Sequence, residues 1–135
     1  MAPTINERIF RKLEKILGNL EEIPEYQKFR SAGFMDLGVD RLRRDEVSVT
    51  IALSHYFKQN GDMIPDPDME VRIYPGIKMA EALTLQDSFN YRQVYPEPGK
   101  VDVKAKKDLN AFLNYWLHNI LNQGYEKAQG DCHEL

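Results

Sequence analysis

The residues best suited to chemistry lie in one segment that follows a histidine. Carboxylates and amides crowd the chain after His55, at Gln59, Asn60, Asp62, Asp66, Asp68 and Glu70. Their oxygens are the ligands that Ca²⁺ and Mg²⁺ prefer, although the spacing is not that of an EF-hand loop. Asn and Asp are also common in turns, because their side chains bond to nearby backbone. The segment is therefore a candidate ligand-binding or partner-binding loop, but the favoured interpretation is turn formation, with a turn at Asn60-Gly61-Asp62.

This candidate loop contains no recognisable catalytic base. His55 follows an apolar strand pattern, and we interpret it as a hydrogen-bonded strand residue. His118 should lie on the surface of a helix. The sequence has no CxxC, HExxH, GxSxG or phosphate-loop motif, and its single cysteine is Cys132. We therefore assign no catalytic residue, no set of metal ligands and no cofactor.

Two basic clusters could bind an anion. Arg41, Arg43 and Arg44 form the first, in a segment that we predict to be a charged turn between strands. Lys104, Lys106 and Lys107 form the second, where the last helix should begin. The spare N–H groups at a helix start attract anions, and lysines there could add to that attraction. The favoured interpretation, however, is solvated charge that neighbouring acids balance, namely Asp45, Glu46, Asp102 and Asp108.

Length and composition predict a single domain over residues 1–135, with frayed ends at 1–3 and about 126–135. The net charge of -3 divides into -2 up to Asp68 and -1 after it, so neither half of the chain is basic enough to favour nucleic acid. One cysteine cannot form an intramolecular disulfide, which suits the cytoplasm. No apolar run reaches the ~20 residues that cross a bilayer, so we expect no membrane association.

Apolar spacings of three and four residues predict a helix at each end of the chain. The first covers about residues 4–20, with Thr4 and Glu7 as a capping box. The last carries a wide apolar stripe and has Gly124 at its C-terminal cap. This stripe consists of Leu109, Phe112, Leu113, Trp116, Leu117, Ile120 and Leu121.

Between the helices, alternating apolar and polar residues predict β-strands. The strongest pattern is Val47, Val49, Ile51 and Leu53, separated by small polar residues. Weaker patterns lie at 35–39, 69–74, 77–86 and 89–95, whereas 23–33 is predicted as a loop or short helical turn. Short connections favour an antiparallel meander of four to five strands. The predicted fold is α+β, with both amphipathic helices packed on one face of the sheet.

Several segments resemble the YqiB-like proteins, small bacterial proteins of unknown function. The similarity lies in Met69-Glu70-Val71-Arg72-Ile73-Tyr74, Met79-Ala80-Glu81, Tyr95-Pro96 and Leu109-Asn110-Ala111-Phe112-Leu113-Asn114-Tyr115-Trp116-Leu117. The elements Gln59-Asn60-Gly61-Asp62 and Asp66-Pro67 are similar to those of related uncharacterised proteins from bacteria and mobile elements. The resemblance covers mainly residues 54–124. It implies a small α+β domain and supplies no catalytic residues.

Three functional hypotheses follow from these patterns. The favoured one is a small non-enzymatic module that binds another protein, with a mobile-element-encoded inhibitor or regulator as one form of it. The second is a metal-binding or small-ligand-binding protein or enzyme that uses His55 and the residues from Asp62 to Glu70. The third is a weak nucleic-acid or anion binder that uses the two basic clusters. The sequence does not specify the oligomeric state.

Overall fold

The first helix, α1, spans Ile5–Leu17 in the computed structural model, which describes residues 2–127 apart from the side chains of residues 57–59 and 63–65. The predicted capping box is confirmed, because the Thr4 hydroxyl accepts from the Glu7 N–H and the Glu7 carboxylate accepts from the Thr4 N–H. The helix ends at Gly18, whose φ of 84° continues no right-handed helix. It is therefore shorter than predicted.

A single antiparallel sheet forms the rest of the framework. Within residues 2–127 it has seven strands: β1 (Tyr26–Arg30), β2 (Asp36–Arg44), β3 (Val49–Gln59), β4 (Asp62–Tyr74), β5 (Met79–Gln86), β6 (Tyr91–Gln93) and β7 (Glu126–Lys127). Their order across the sheet is β6-β5-β4-β3-β2-β1-β7. The α+β class and the antiparallel sheet are confirmed, but the prediction of four to five strands was too low.

The two additional strands lie where a loop and a chain end were predicted. β1 falls within the predicted loop at 23–33 and pairs with β2. β7 covers the first residues of the predicted C-terminal tail and pairs with β1 at Phe29 and Arg30. The remainder of that tail, with Cys132 and His133, lies outside the described residues.

The predicted charged turn and the predicted aspartate loop are both strand. β2 continues through Arg44, with a register shift between Arg41 and Arg43 that accommodates one extra residue. β4 runs through both prolines, Pro65 and Pro67, because its first half pairs only with β3. Pairing with β5 begins at Asp68, so neither proline interrupts a two-sided ladder.

The second helix, α2, spans Val103–Asn122 and confirms the predicted final helix. The Asp102 carboxylate caps its start by accepting from the Ala105 N–H at 2.9 Å. Gly124 follows its end with a φ of 72°, as the cap prediction requires. No helix within residues 2–127 has the length and apolar character needed to cross a membrane.

Both helices pack against each other and against β5, and one apolar core joins them to the sheet. Alternate strand residues supply its sheet side: Val49, Ile51, Leu53, Met69, Val71, Ile73, Ala80 and Ala82. The helices supply Ile9, Leu13, Leu109, Leu113 and Leu117. The intervening strand residues point to the opposite side, which we call the polar face. Because side chains alternate along a strand, each polar side chain of a strand lies on one of these two faces.

Candidate functional site

The carboxylates of the predicted loop lie on the polar face, where their own sheet provides partners. Asp68 accepts a hydrogen bond from the Ser54 hydroxyl at 2.7 Å across the β3–β4 pair. Glu70 lies 3.3 Å from the guanidinium of Arg43 on β2. Asp66 accepts from the hydroxyl of Ser88, in the turn after β5. Each of these three carboxylates is thus bonded to a side chain of the same chain, two of them within the sheet and one in a turn at its edge.

The remaining residues of that loop lie at the tip of the β3–β4 hairpin. Asn60 and Gly61 form the turn, with φ values of 52° and 87°. These positive values suit Asn-Gly and account for turn formation at this point. Asp62 is exposed at the start of β4, and the backbone of Gln59 pairs with it. The side chain of Gln59 lies outside the described side chains.

His55 lies on the apolar face, away from those carboxylates. Its Nδ1 accepts from Trp116 Nε1 at 3.1 Å, and its Nε2 lies 3.1 Å from the Tyr125 hydroxyl. Tyr125 donates in turn to the carbonyl of Met35. These hydrogen bonds require a neutral His55 ring that carries its proton on Nε2. Burial lowers the pKa of His55, which also favours the neutral ring.

His55 and the carboxylates of the loop therefore do not converge. Asp68 and Glu70 occupy the polar face, whereas His55 contacts Trp116 of α2 beneath the sheet. In the part of the chain that the structure describes, no three His, Cys, Asp or Glu side chains are placed to hold a metal ion. His118 lies on the exposed face of α2, where its Nε2 is 3.0 Å from the Asn122 amide.

The three clustered arginines each contact another residue of the same chain. Arg41 donates to the carbonyl of Ile23 at 2.7 Å, and Arg44 donates to the carbonyl of Glu21 at 2.9 Å. These bonds fasten the segment after α1 to the end of β2. Arg43 points the other way and pairs with Glu70 on the polar face. The three arginines nevertheless line one open cleft of about 480 Å³, together with Glu25 and Leu42.

The lysine cluster lies in the first turns of α2, as predicted. Lys104 is 3.0 Å from Asp108, and Arg92 of β6 lies 3.2 Å from the same carboxylate. Both pairs lie at the protein surface, where solvent screens their attraction, so they add little to stability. Lys106 and Lys107 are exposed on the same helix.

Asp40 and Asp68 form an acidic pair on the polar face, and Asp40 was not identified as a candidate from the sequence. Burial raises the pKa of Asp40, and the nearby charge of Asp68 raises it further. The ring of Tyr56 lies beside both carboxylates and over Gly38. The pKa of Tyr56 is raised by burial and then by Asp40. Sequence patterns could not reveal this group, because it combines residues of β2, β3 and β4.

Glu81 and two tyrosines form a further network that the sequence did not indicate. Tyr74 and Tyr95 each donate to one oxygen of Glu81, both at 2.6 Å. Burial, followed by the hydrogen bond to Glu81, raises the pKa of each tyrosine to about 12. Arg72 stacks on the Tyr74 ring, with its guanidinium carbon 5.2 Å from the ring centre. The network fixes the positions of these aromatic rings at one end of the sheet.

Three adjoining clefts lie at that same end, which we call the turn end. It consists of the β2–β3 turn (45–48), the β4–β5 turn (75–78) and the segment 95–103. The first cleft, of about 600 Å³, lies between the two turns. The second, of about 220 Å³, shares Tyr74 and Ile77 with it and extends to Tyr95 and Lys106. The third, of about 600 Å³, continues from Tyr95 to Val101.

Exposed apolar side chains border these clefts. Val47 and Ile77 are 65% and 64% exposed at the tips of their turns, and Tyr95 is 44% exposed. Val101 and Val103 extend the apolar surface towards α2. Sequence reasoning treated Val47 as a strand residue of the apolar face, and the turn residue Ile77 as part of a strand.

Comparison with known proteins gives a family without an assigned activity. No curated protein and no solved structure matches the sequence. A family model described as a domain of unknown function, DUF6908, matches residues 7–126. The match includes most of α1, all of α2, the strands that carry the candidate residues and the whole turn end. The chain therefore belongs to the DUF6908 family.

Proposed function

We propose that this protein is a non-enzymatic interaction module that binds another protein through its turn end. One observation carries the proposal: exposed apolar side chains line a continuous row of clefts there, including Val47, Ile77 and Tyr95. Apolar surface grouped around concave sites is typical of binding surfaces, whereas scattered exposed apolar residues are ordinary.

The framework beneath the clefts favours binding without rearrangement. Glu81 holds the rings of Tyr74 and Tyr95, and Arg72 joins this network to the β2–β3 turn through Asp45 at 2.9 Å. Groups already fixed before association lose little conformational entropy on binding. The turn end is thus preorganised to receive a partner.

The other two hypotheses receive less support. A site built from His55 and the loop carboxylates would require side chains from opposite faces of the sheet. A nucleic-acid site would require arginines that instead bond to Ile23, Glu21 and Glu70 of the same chain. The resemblance to YqiB-like and mobile-element proteins keeps an inhibitor or regulator as the specific form that we favour.

The proposal can be tested by affinity capture from a lysate of the native source. Wild-type protein would be compared with a Val47→Ser/Ile77→Ser double variant, with and without nuclease and at two salt concentrations. Both side chains are largely exposed, so their replacement should leave the fold intact, as circular dichroism would verify. Phe89→Ser is the matched control, because Phe89 is 92% exposed at the other end of β5.

We expect a stoichiometric protein that survives nuclease, is retained by Phe89→Ser and is lost by the double variant. Nucleic acid captured only at low salt would instead favour the basic clusters. Capture that is equal for all three proteins would refute the turn end as the binding surface.

A further inference from the structure

We propose that the first cleft of the turn end binds a partner segment in which a large apolar side chain lies next to a lysine or arginine. This inference rests on the proposed function, since it names the partner chemistry of the same surface. It follows from the apolar interior of the cleft, the charges on its rim and the fixed geometry of its walls.

The interior of the cleft is apolar. Its floor is formed by Val49, which is buried, and by Tyr74 and Pro75, which are half-buried. The walls of the cleft are the two turns, which carry the exposed side chains of Val47 and Ile77. The volume of about 600 Å³ is sufficient for a few side chains. An apolar side chain of the partner would cover both walls and remove them from water, which is favourable by about 25 cal/mol per Å².

The charged residues on the rim of the cleft determine which partner residues can lie next to that apolar side chain. Glu21, Asp45, Glu46 and Arg44 line the cleft. Asp45 is paired with Arg72, while the guanidinium of Arg44 donates to the carbonyl of Glu21. Glu21 and Glu46 form no ion pair within residues 2–127. Two carboxylates thus face one arginine, and a cationic partner residue would complete the balance, whereas an acidic one would be repelled.

The walls are held in place before any partner arrives. One Asp45 oxygen accepts from the backbone N–H groups of Val47 and Ser48, at 2.9 and 2.8 Å. The opposite turn is closed by a bond from the Ile77 N–H to the carbonyl of Tyr74 at 3.3 Å. Val47 and Ile77 therefore lie on hydrogen-bonded turns, and the space between the turns is a preformed site for one apolar side chain of the partner.

The test is selection of random linear peptides on the wild-type protein. We expect the enriched peptides to share a large apolar residue within a few positions of lysine or arginine. A synthesised consensus peptide would then be measured by fluorescence anisotropy. We expect Val47→Ser/Ile77→Ser to weaken its binding at least about tenfold, and Glu46→Lys about two- to fivefold, with the second effect larger at low salt.

Two control variants make the same chemical changes elsewhere. Phe89→Ser removes an exposed apolar side chain at the other end of β5, and Asp62→Lys reverses a charge at the other end of β4. Neither should alter the affinity. Failure to enrich any peptide, a consensus that is acidic or lacks an apolar anchor, or unchanged binding by the Val47/Ile77 variant each overturns the inference.

The inference and the proposed function fail in different ways. A lysate protein that depends on Val47 and Ile77, together with an acidic consensus peptide, would overturn only the partner chemistry. A lysate that yields no protein dependent on these two residues would overturn the proposed function itself.

Discussion

The side-chain oxygen of Asn110 on α2 accepts a hydrogen bond from the backbone N–H of Ala82 on β5 at 2.9 Å. β6 pairs with β5 only from Thr84 to Gln86, so Ala82 lies beyond the end of that strand. A second asparagine acts nearby, since Asn6 of α1 donates to the carbonyl of Ala80 at 2.9 Å. Side chains of both helices thus occupy hydrogen-bonding groups that a neighbouring strand would otherwise use.

Replacing Asn110 by alanine should destabilise the fold by about 1–3 kcal/mol, because the buried N–H of Ala82 loses its acceptor. Urea denaturation measures this loss directly. Asn122→Ala is the matched control on the same helix, since Asn122 is exposed and its amide lies 3.0 Å from the ring of the exposed His118. Its effect should remain within about 0.5 kcal/mol. Similar losses for the two variants would show that the contact with Ala82 is unimportant.

Sequence patterns correctly predicted those features of the fold that depend on residues close together in the chain. The capping box at Thr4, the apolar stripe of α2 and the turn at Asn60-Gly61 each need only neighbouring residues. The first half of β4 could not be predicted in this way. Its two prolines oppose strand formation unless one side of the strand is unpaired, and that condition depends on where β5 begins.

The candidate site was less predictable than the fold. His55 was interpreted as a hydrogen-bonded strand residue, and it is one, but its partners Trp116 and Tyr125 are remote in the sequence. The carboxylates after it were grouped with it by sequence proximity, although alternation along the strands places His55 on the apolar face and both Asp68 and Glu70 on the polar face. The turn end was missed because its clefts arise from two hairpins and a segment that meet only in the folded chain.

Acidification should destabilise the protein through His55. Burial lowers the pKa of this histidine in the folded state, so the unfolded chain binds its proton first as pH falls. Stability is therefore fully present above the unfolded pKa of about 6.5 and declines below it. Protonation would also place an N–H on Nδ1, facing the indole N–H of Trp116. The measurement is the free energy of unfolding in urea from about pH 7.5 to 5.

The His55→Gln variant should be less stable than the wild type at neutral pH. Its free energy of unfolding should also vary less with pH, because the titrating imidazole is absent. His118→Gln is the control, since His118 is exposed, and it should keep the wild-type pH profile. A His55→Gln profile as steep as that of the wild type would assign the pH dependence to another group.

Adding a methyl group at Gly38 should destabilise the sheet through Tyr56. A Cβ built at Gly38 would lie 2.6 Å from Cε2 of the Tyr56 ring, which is closer than real contacts allow. The ring must then leave the surface of β2, and overpacking of this kind costs about 1–3 kcal/mol. Urea denaturation of Gly38→Ala measures the cost. Gly76→Ala is the control, because nothing lies within 4 Å of a Cβ at that position.

A double-mutant cycle identifies the cause of the Gly38 effect. If the Tyr56 ring is the obstacle, Gly38→Ala should have little effect in a Tyr56→Ala background, so the two substitutions should be strongly non-additive. The backbone of Gly38 lies outside the left-handed region, so an alanine there meets no conformational penalty of its own. Additive losses in the cycle would therefore refute the contact between Gly38 and Tyr56 as the reason that glycine occupies this position.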